Sequence, residues 1–453
     1  MIKVEFLKNT STEGVIYARQ DSAATQSVRE AFSPNGRTAL LKPGKNRQER
    51  EKTGALLYKM ACQGPEKVLV LDLPTDCLDV VTGILLASWR FCKYRTSLRP
   101  EEVRYLEKVV VLSDNPKALE KAFEPIKASI EGVVYARELT SEPANCFYPM
   151  AYANRLLELE SLGLAVEVLD EESLAKIGMT ALLAAGQGSS NKPCVVCITW
   201  KGSNTIDKPI VLVGKGVCYD SGGICLKPSS ILPAMKWDKA GAGVVAGVMK
   251  ALALKRSSRH VVGIVGLIEN MPDGKAIKPG DIIKTMSGQT VEIVDTDAEG
   301  RLVLADCLWY AQERFKPQAL IDLGTLTPET FATLGSAYAG LYTSDDELSK
   351  ELIQAGDSTE NALWRLPMGE YFAKQIESSV ADIKNLGTEH WGESGAAAEF
   401  LKRFIKDDMQ TWAHIDIAGV SWVNEDDPLC TKGPTGFGVR LLDEWICQTQ
   451  TSS

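Results

Sequence analysis

The chain has 453 residues, 45% hydrophobic and 24% charged, an ordinary globular composition with length for two or three domains and a large core. A net charge of −9 and a pI near 5.2 argue against a general binder of nucleic acid or anionic membranes. Eleven cysteines without framework spacing point to reduced thiols in a cytoplasmic protein. The opening MIKVEFLKNT does not read as a signal peptide, and the longest apolar run, 261–268, is too short to span a membrane.

Residues 1–115 read as alternating short strands and helices, with strands expected over 3–7, 14–18, 38–42, 67–71 and 108–112. A charged run, KNRQEREK, starts a helix that continues to Met60 and reads as a solvated face. A second helix is expected over 78–91, where apolar residues recur at helical spacing. This part carries no catalytic constellation and reads as a small α/β domain with a structural or assembly role. Asp114-Asn115-Pro116 marks a boundary, residues 116–140 read as a linking helix, and 141–453 form the remaining domain.

From Tyr148 onward helices alternate with apolar strands, expected over 165–169, 194–200, 209–214, 261–269 and 319–323. The fold class is therefore α/β in two domains: a small N-terminal α/β domain and a larger C-terminal one with a mixed sheet flanked by helices. Cys194 and Cys197 form a C-x-x-C inside a strand, with no second pair nearby, and read as structural.

Two stretches are chemically dense. The first, VLVGKGVCYDSGGICLK over 211–227, leads a strand into glycines and carries Lys215, Asp220 and Lys227; it lacks the P-loop pattern. Asp238 follows, and then a G-x-G-x-x-x-G run from Gly241 to Gly247. That run resembles some dinucleotide fingerprints but has no strand immediately before it, so close helix packing is the simpler reading. The second stretch, VEIVDTDAEGRLVL over 291–304, is strand, acidic turn and helix, with Asp297, Glu299 and Arg301 in the turn. Carboxylates converging from three segments with lysines among them suit a pair of divalent cations. His260 and His414 fall in apolar contexts, His390 lies in a polar loop, and none has a histidine at i+4, which excludes H-E-x-x-H zinc chemistry. A nucleotide-dependent oxidoreductase and a non-enzymatic scaffold stay open as alternatives.

These stretches, with KWDKAGAG, SEPANCFYP, WAHIDIAGVSW and TGFGVRLL, resemble the leucyl aminopeptidase (M17 cytosolic aminopeptidase) family over roughly 140–445. The resemblance implies a dinuclear metallo-exopeptidase releasing N-terminal, leucine-like residues. Asp220, Asp297 and Glu299 would hold one metal; Lys215, Asp220, Asp238 and Glu299 would hold the other. Lys227 and Arg301 would be the catalytic pair, with a bicarbonate on Arg301 as general base, and Met235, Thr325 and Pro328 would line the first side-chain pocket. Mn²⁺, Zn²⁺ or Mg²⁺ would serve, in a homo-hexamer acting on peptides with a free N-terminus. The chain departs from the family at Asp295 (Asn in the family), at DKAGA over 238–242 (DMGGA) and at TLTPE over 325–329 (TLTGA).

Overall fold

A computed structural model describes residues 1–10, 15–21, 26–33, 36–42, 44–73, 76–98, 106–203, 208–389 and 391–448. The chain forms two compact units, residues 1–130 with 423–433 and residues 131–422 with 434–453. The strand expected at 14–18 begins on a residue outside the described set, as does His390.

In the first unit, strands β1 (Lys3–Leu7), β2 (Val15–Gln20), β3 (Val28–Ser33), β4 (Gly36–Leu41), β5 (Val68–Asp72) and β6 (Lys108–Leu112) make one sheet, ordered β1-β6-β5-β2-β4-β3. Its pairs are parallel except the β3–β4 hairpin. Helix α1 (Arg47–Ala61) starts where the Asn46 side chain accepts from Glu49 N, satisfying a donor that the first turn leaves free. Its charged run is not wholly solvated: Glu51 is buried and pairs with Arg47 at 2.9 Å. Helix α2 (Cys77–Ser88) belongs to the same unit, and the boundary between units falls inside α3 (Pro116–Ser141).

The second unit is organised on a mixed sheet of β7 (Ala165–Leu169), β8 (Cys194–Trp200), β9 (Ile210–Asp220), β10 (Val261–Asn270), β13 (Ala319–Gly324), β14 (Ala339–Tyr342), β15 (Leu363–Arg365) and β17 (Trp412–Asp416). The order is β15-β14-β17-β13-β9-β10-β8-β7, with β17, β13, β9 and β10 mutually parallel at the centre. A smaller sheet joins β11 (Ile282–Lys284), β12 (Thr290–Glu292) and β16 (Ile383–Lys384). The unit's helices are α4 (Pro149–Leu157), α5 (Glu171–Ile177), α6 (Thr180–Gly186), α7 (Ala240–Lys255), α8 (Gly300–Phe315), α9 (Pro328–Leu334), α10 (Asp346–Thr359), α11 (Glu370–Gln375), α12 (Glu393–Lys402) and α13 (Val439–Gln448).

Strand β9 carries the site, and its two faces are covered by different helices. Val211, Val213 and Val217 face a core that includes Leu302, Val303 and Leu304 of α8. Gly214 and Gly216 point the other way: a Cβ on Gly214 would press into α7 at Gly241 and Ala242, and one on Gly216 into Leu267 and the Gly266 carbonyl of β10. Burial on both faces explains the near-continuous apolar run. The strand does not stop at Gly214 as expected but continues to Asp220, because those glycines admit close neighbours, the α7 backbone at Gly214 and β10 at Gly216, rather than make a turn. Pairing with β10 slips once: Ile268 opposes Val217 and Glu269 opposes Tyr219, leaving Cys218 as a bulge.

Candidate metal centre

The bulge has a direct chemical effect. Residues an odd number apart on a strand point to opposite faces, so Lys215 and Asp220 would diverge on a regular β9. One extra residue between them restores the parity, and both side chains reach the α8 side of the sheet. They do so at the carboxyl ends of the parallel strands, where open α/β sheets place ligands.

There Lys215 Nζ lies 2.9 Å from Asp238 Oδ1 and 2.9 Å from Glu299 Oε1, and donates to the Thr325 carbonyl at 2.9 Å. Lys227 Nζ lies 2.8 Å from Asp220 Oδ2 and also contacts Asp297 Oδ1. One oxygen each from Asp220, Asp297 and Glu299 falls within 4.8 Å of the others. The sequence-nominated residues Lys215, Asp220, Lys227, Asp238, Asp297 and Glu299 therefore meet in one place. Gly300 permits the approach of Lys215, since a Cβ there would sit 2.6 Å from its Nζ.

Neighbours, most of them not singled out from sequence, fix these side chains. Asn270, at the end of β10, donates from Nδ2 to Asp220 Oδ1 at 2.8 Å and to the Thr296 carbonyl at 3.0 Å. Thr296 Oγ1 donates to the Gly222 carbonyl at 2.6 Å and accepts from Cys225 N at 2.9 Å. Gly222 and Gly223 turn the chain after β9 with φ of 87° and 66°, a region that favours glycine. Thr325 Oγ1 donates to Asp238 Oδ1 at 2.6 Å. Asp295 accepts from Asp297 N at 2.8 Å, closing the acidic turn on itself, and the Asn385 amide clasps the same turn through Val294 N and the Asp295 carbonyl. Each of these contacts is long-range or backbone-mediated, so no local pattern announces it.

Burial dominates the electrostatics. Glu299, 1% exposed, has its pKa pushed up first by desolvation and then by Asp220. Asp297 and Asp238 are raised for the same first reason, with neighbouring carboxylates adding to it. For Lys215 and Lys227 burial opposes the charge, but the surrounding carboxylates outweigh it and hold both as ammonium ions. Neither Glu299 oxygen, nor Asp238 Oδ2, nor Asp297 Oδ1 completes a well-formed hydrogen bond among the described residues. Buried carboxylate oxygens left in that state are costly unless a cation engages them. The donor set, oxygen-rich with one amine, thus fits a metal pair.

Around this cluster the other nominated residues are placed unevenly. Arg301, on the first turn of α8, lies with Nη1 2.6 Å from Glu393 Oε1. Met235 sits on the 3-10 turn Leu232–Trp237 leading to Asp238. Pro328 is exposed at the first position of α9, where a missing N–H costs nothing. Lys239, at a family departure, is fully buried and donates to the carbonyls of Glu142 (2.8 Å) and Lys236; burial lowers its pKa to about 8. The G-x-G-x-x-x-G run lies within α7 and is a packing surface: a Cβ on Gly241 would sit 2.4 Å from the Leu323 carbonyl, and one on Gly247 2.5 Å from that of Gly132. His414 is buried in β17 against Asp322 at 2.5 Å.

Comparison with known proteins agrees with this geometry. Residues 134–443 match the model of the cytosol aminopeptidase family, catalytic domain. A probable cytosol aminopeptidase of Sinorhizobium fredii is 47% identical over 371 residues, covering 81% of this chain and 74% of that protein. A cytosol aminopeptidase of Rickettsia prowazekii is 46% identical over 376 residues, covering 82% and 75%. Among solved structures, the bottromycin maturation enzyme BotP in complex with Mn superposes with a TM-score of 0.86 at 31% identity, covering 96% of this chain and 99% of its own.

Proposed function

The chain belongs to the cytosol aminopeptidase family, metal-dependent hydrolases that remove N-terminal residues from peptides, and from that premise we propose a dinuclear site with the following division of labour. Asp220, Asp297 and Glu299 would hold one cation; Lys215, Asp220, Asp238 and Glu299 the other, with Asp220 and Glu299 shared. The observation that carries this reading is Glu299, a carboxylate 1% exposed whose two oxygens both lack a well-formed hydrogen bond among the described residues. When bound, the metal pair supplies an acidified water and polarises the scissile carbonyl.

The chain's own groups do the rest. Lys215 would ligate through its neutral amine, so its proton has to leave on loading. Lys227, still charged, would stabilise the negative charge that develops on the carbonyl oxygen. Arg301 would offer an anion seat, the place the family gives to bicarbonate. Met235, Thr325 and Pro328 would line the pocket for a leucine-like first side chain. Mn²⁺ or Zn²⁺ is the proposed metal, with Mg²⁺ as a further candidate, and Mn accompanies the BotP structure.

We further propose a homo-hexamer in the cytoplasm, with residues 1–115 as the assembly domain and 116–140 as the link to the catalytic part, 141–453. Peptides with a free N-terminus are the proposed partners; membranes and nucleic acid are not. No helix among the described residues is long and apolar enough to cross a membrane.

The test compares leucine amide with N-acetyl-leucine amide, with and without Mn²⁺ after dialysis against chelator, alongside anomalous scattering from crystals grown with the metal. An amine that ligates a metal is lost on acetylation, so kcat/KM should fall by orders of magnitude. Equal turnover of the two amides, or scattering from a single ion, would refute the dinuclear exopeptidase reading.

A further inference from the structure

Two residues beyond Glu299, at Arg301, begins a second group of largely buried polar side chains that the scheme above does not use fully. Arg301 is 3% exposed, and its Nη1 is 2.6 Å from Glu393 Oε1. Yet neither atom completes a well-formed hydrogen bond among the described residues, and neither does Arg301 Nε. The other oxygen, Glu393 Oε2, is anchored by Gly387 N at 3.0 Å. The amide of Gln375, also buried, lacks a partner at both ends. It lines the same space, since a Cβ on Gly387 would lie 2.7 Å from Glu393 Oε2 and 2.9 Å from Gln375 Oε1.

The backbone on both sides of Glu393 is pinned by one residue. Glu329 accepts from Gly392 N at 2.8 Å through Oε1 and from Ser394 N at 2.6 Å through Oε2. Glu329 belongs to the TLTPE departure, and through it this chain holds that turn by a half-buried contact. The result is a carboxylate held on a guanidinium at the first turn of α8, two residues past Glu299, with one oxygen that completes no well-formed hydrogen bond among the described residues. A buried acceptor in that state calls for an explanation, and a catalytic role is one of the few available.

Hydrolysis needs a group that takes a proton from water and passes one to the leaving amine. In the dinuclear reading, on which this inference rests, Asp220, Asp238, Asp297 and Glu299 are committed to the cations. We propose that Glu393 is the proton acceptor and donor of this enzyme, a carboxylate built into the chain at the seat on Arg301 that a bound bicarbonate would otherwise take. As the water oxygen bonds to the carbonyl carbon, its O–H bond breaks and the proton passes to Glu393 Oε1. The carbon–nitrogen bond then breaks as that proton moves to the amine nitrogen, which restores the carboxylate and releases an amino acid and a shortened peptide. Arg301 and Gln375 are positioning residues for that carboxylate.

The experiment uses the full chain loaded with Mn²⁺ in carbon dioxide-depleted buffer, with and without added bicarbonate. Wild type should be indifferent to bicarbonate. Glu393→Ala should lose about 10²–10⁴-fold in kcat at nearly constant KM and metal content, and bicarbonate or formate should restore most of it. Glu393→Gln, which keeps the shape and the acceptor for Gly387 N, should lose as much and resist rescue. Calorimetric titration with bicarbonate gives a readout apart from turnover: Glu393→Ala should bind it and wild type should not. Wild type stimulated by bicarbonate, with Glu393→Ala and Glu393→Gln equally active, would overturn the proposal. So would a loss in Glu393→Ala that neither anion rescues, with no gain of bicarbonate binding. Arg301→Ala separates the layers: a loss there with none at Glu393 refutes only this inference, and no loss at either removes the anion seat as well.

Discussion

Asn270 and Asp220 are register partners at the carboxyl ends of β10 and β9, and the Asn270 amide donates to Asp220 Oδ1 at 2.8 Å. The bond leaves Asp220 Oδ2 directed at Lys227. Groups that orient a metal ligand typically matter by about 10–100-fold in affinity. Asn270→Ala is therefore expected to weaken Mn²⁺ binding by about that factor with the fold intact, as read by chelator competition and circular dichroism. Unchanged affinity would mean that Asp220 needs no such support.

Lys227 contacts Asp220 and Asp297, yet it is expected to act on the substrate rather than hold the metal. Lys227→Ala should retain both ions by elemental analysis and lower kcat by about 10²–10³-fold, the usual cost of losing an oxyanion donor. Metal loss in step with activity would make Lys227 a structural member of the site.

Loading the site should expel protons. Without a cation, Lys215 is held as an ammonium ion, while Glu299, Asp297 and Asp238 are pushed toward their protonated forms by burial and by one another. A cation pair reverses each preference, so affinity should rise with pH over roughly 6–9 and fall as pH drops. Calorimetric titration in two buffers of different ionisation enthalpy measures the release directly. Heats that do not depend on the buffer would contradict this reading of Lys215.

Asp306 offers a test of stability away from the chemistry. Its Oδ2 accepts from Ala181 N and Leu182 N at 2.8 and 3.0 Å, and its Oδ1 from Met286 N at 2.8 Å, tying α6 and the 286 turn to α8. An asparagine must turn its NH₂ toward one of these donors. Asp306→Asn should therefore destabilise the protein by about 1–3 kcal/mol, measured by denaturant unfolding. A stability equal to wild type would show that a water or a local shift takes up the lost acceptor.

The site was legible where its chemistry is local. Asp297, Glu299 and Arg301 sit together in one turn, and Lys215, Asp220 and Lys227 in one glycine-rich run, so spacing alone nominated them. The flanking strands and helices were legible too, because their apolar periodicity is strong. What escaped was carried by contacts between distant segments. Glu393 reaches Arg301 from α12, Glu329 reaches Gly392 from α9, and Asn270 reaches Asp220 across the sheet. The sequence ends β9 at Gly214, since Gly214 and Gly216 read as turn residues, whereas in the fold they admit the close approach of α7 and of β10.

The bulge at Cys218 makes parity along the ladder, rather than residue identity, the protected quantity in this strand. The thiol is buried and makes a long contact to the Gly216 carbonyl, so alanine or serine there should leave the site assembled. Excising the one position would leave Lys215 and Asp220 four apart on a regular ladder, with Asp220 still opposite Asn270 and on the α8 side. Straightening the strand at unchanged length is the damaging event, since Lys215 and Asp220, five apart, would then point to opposite faces and the cluster would come apart.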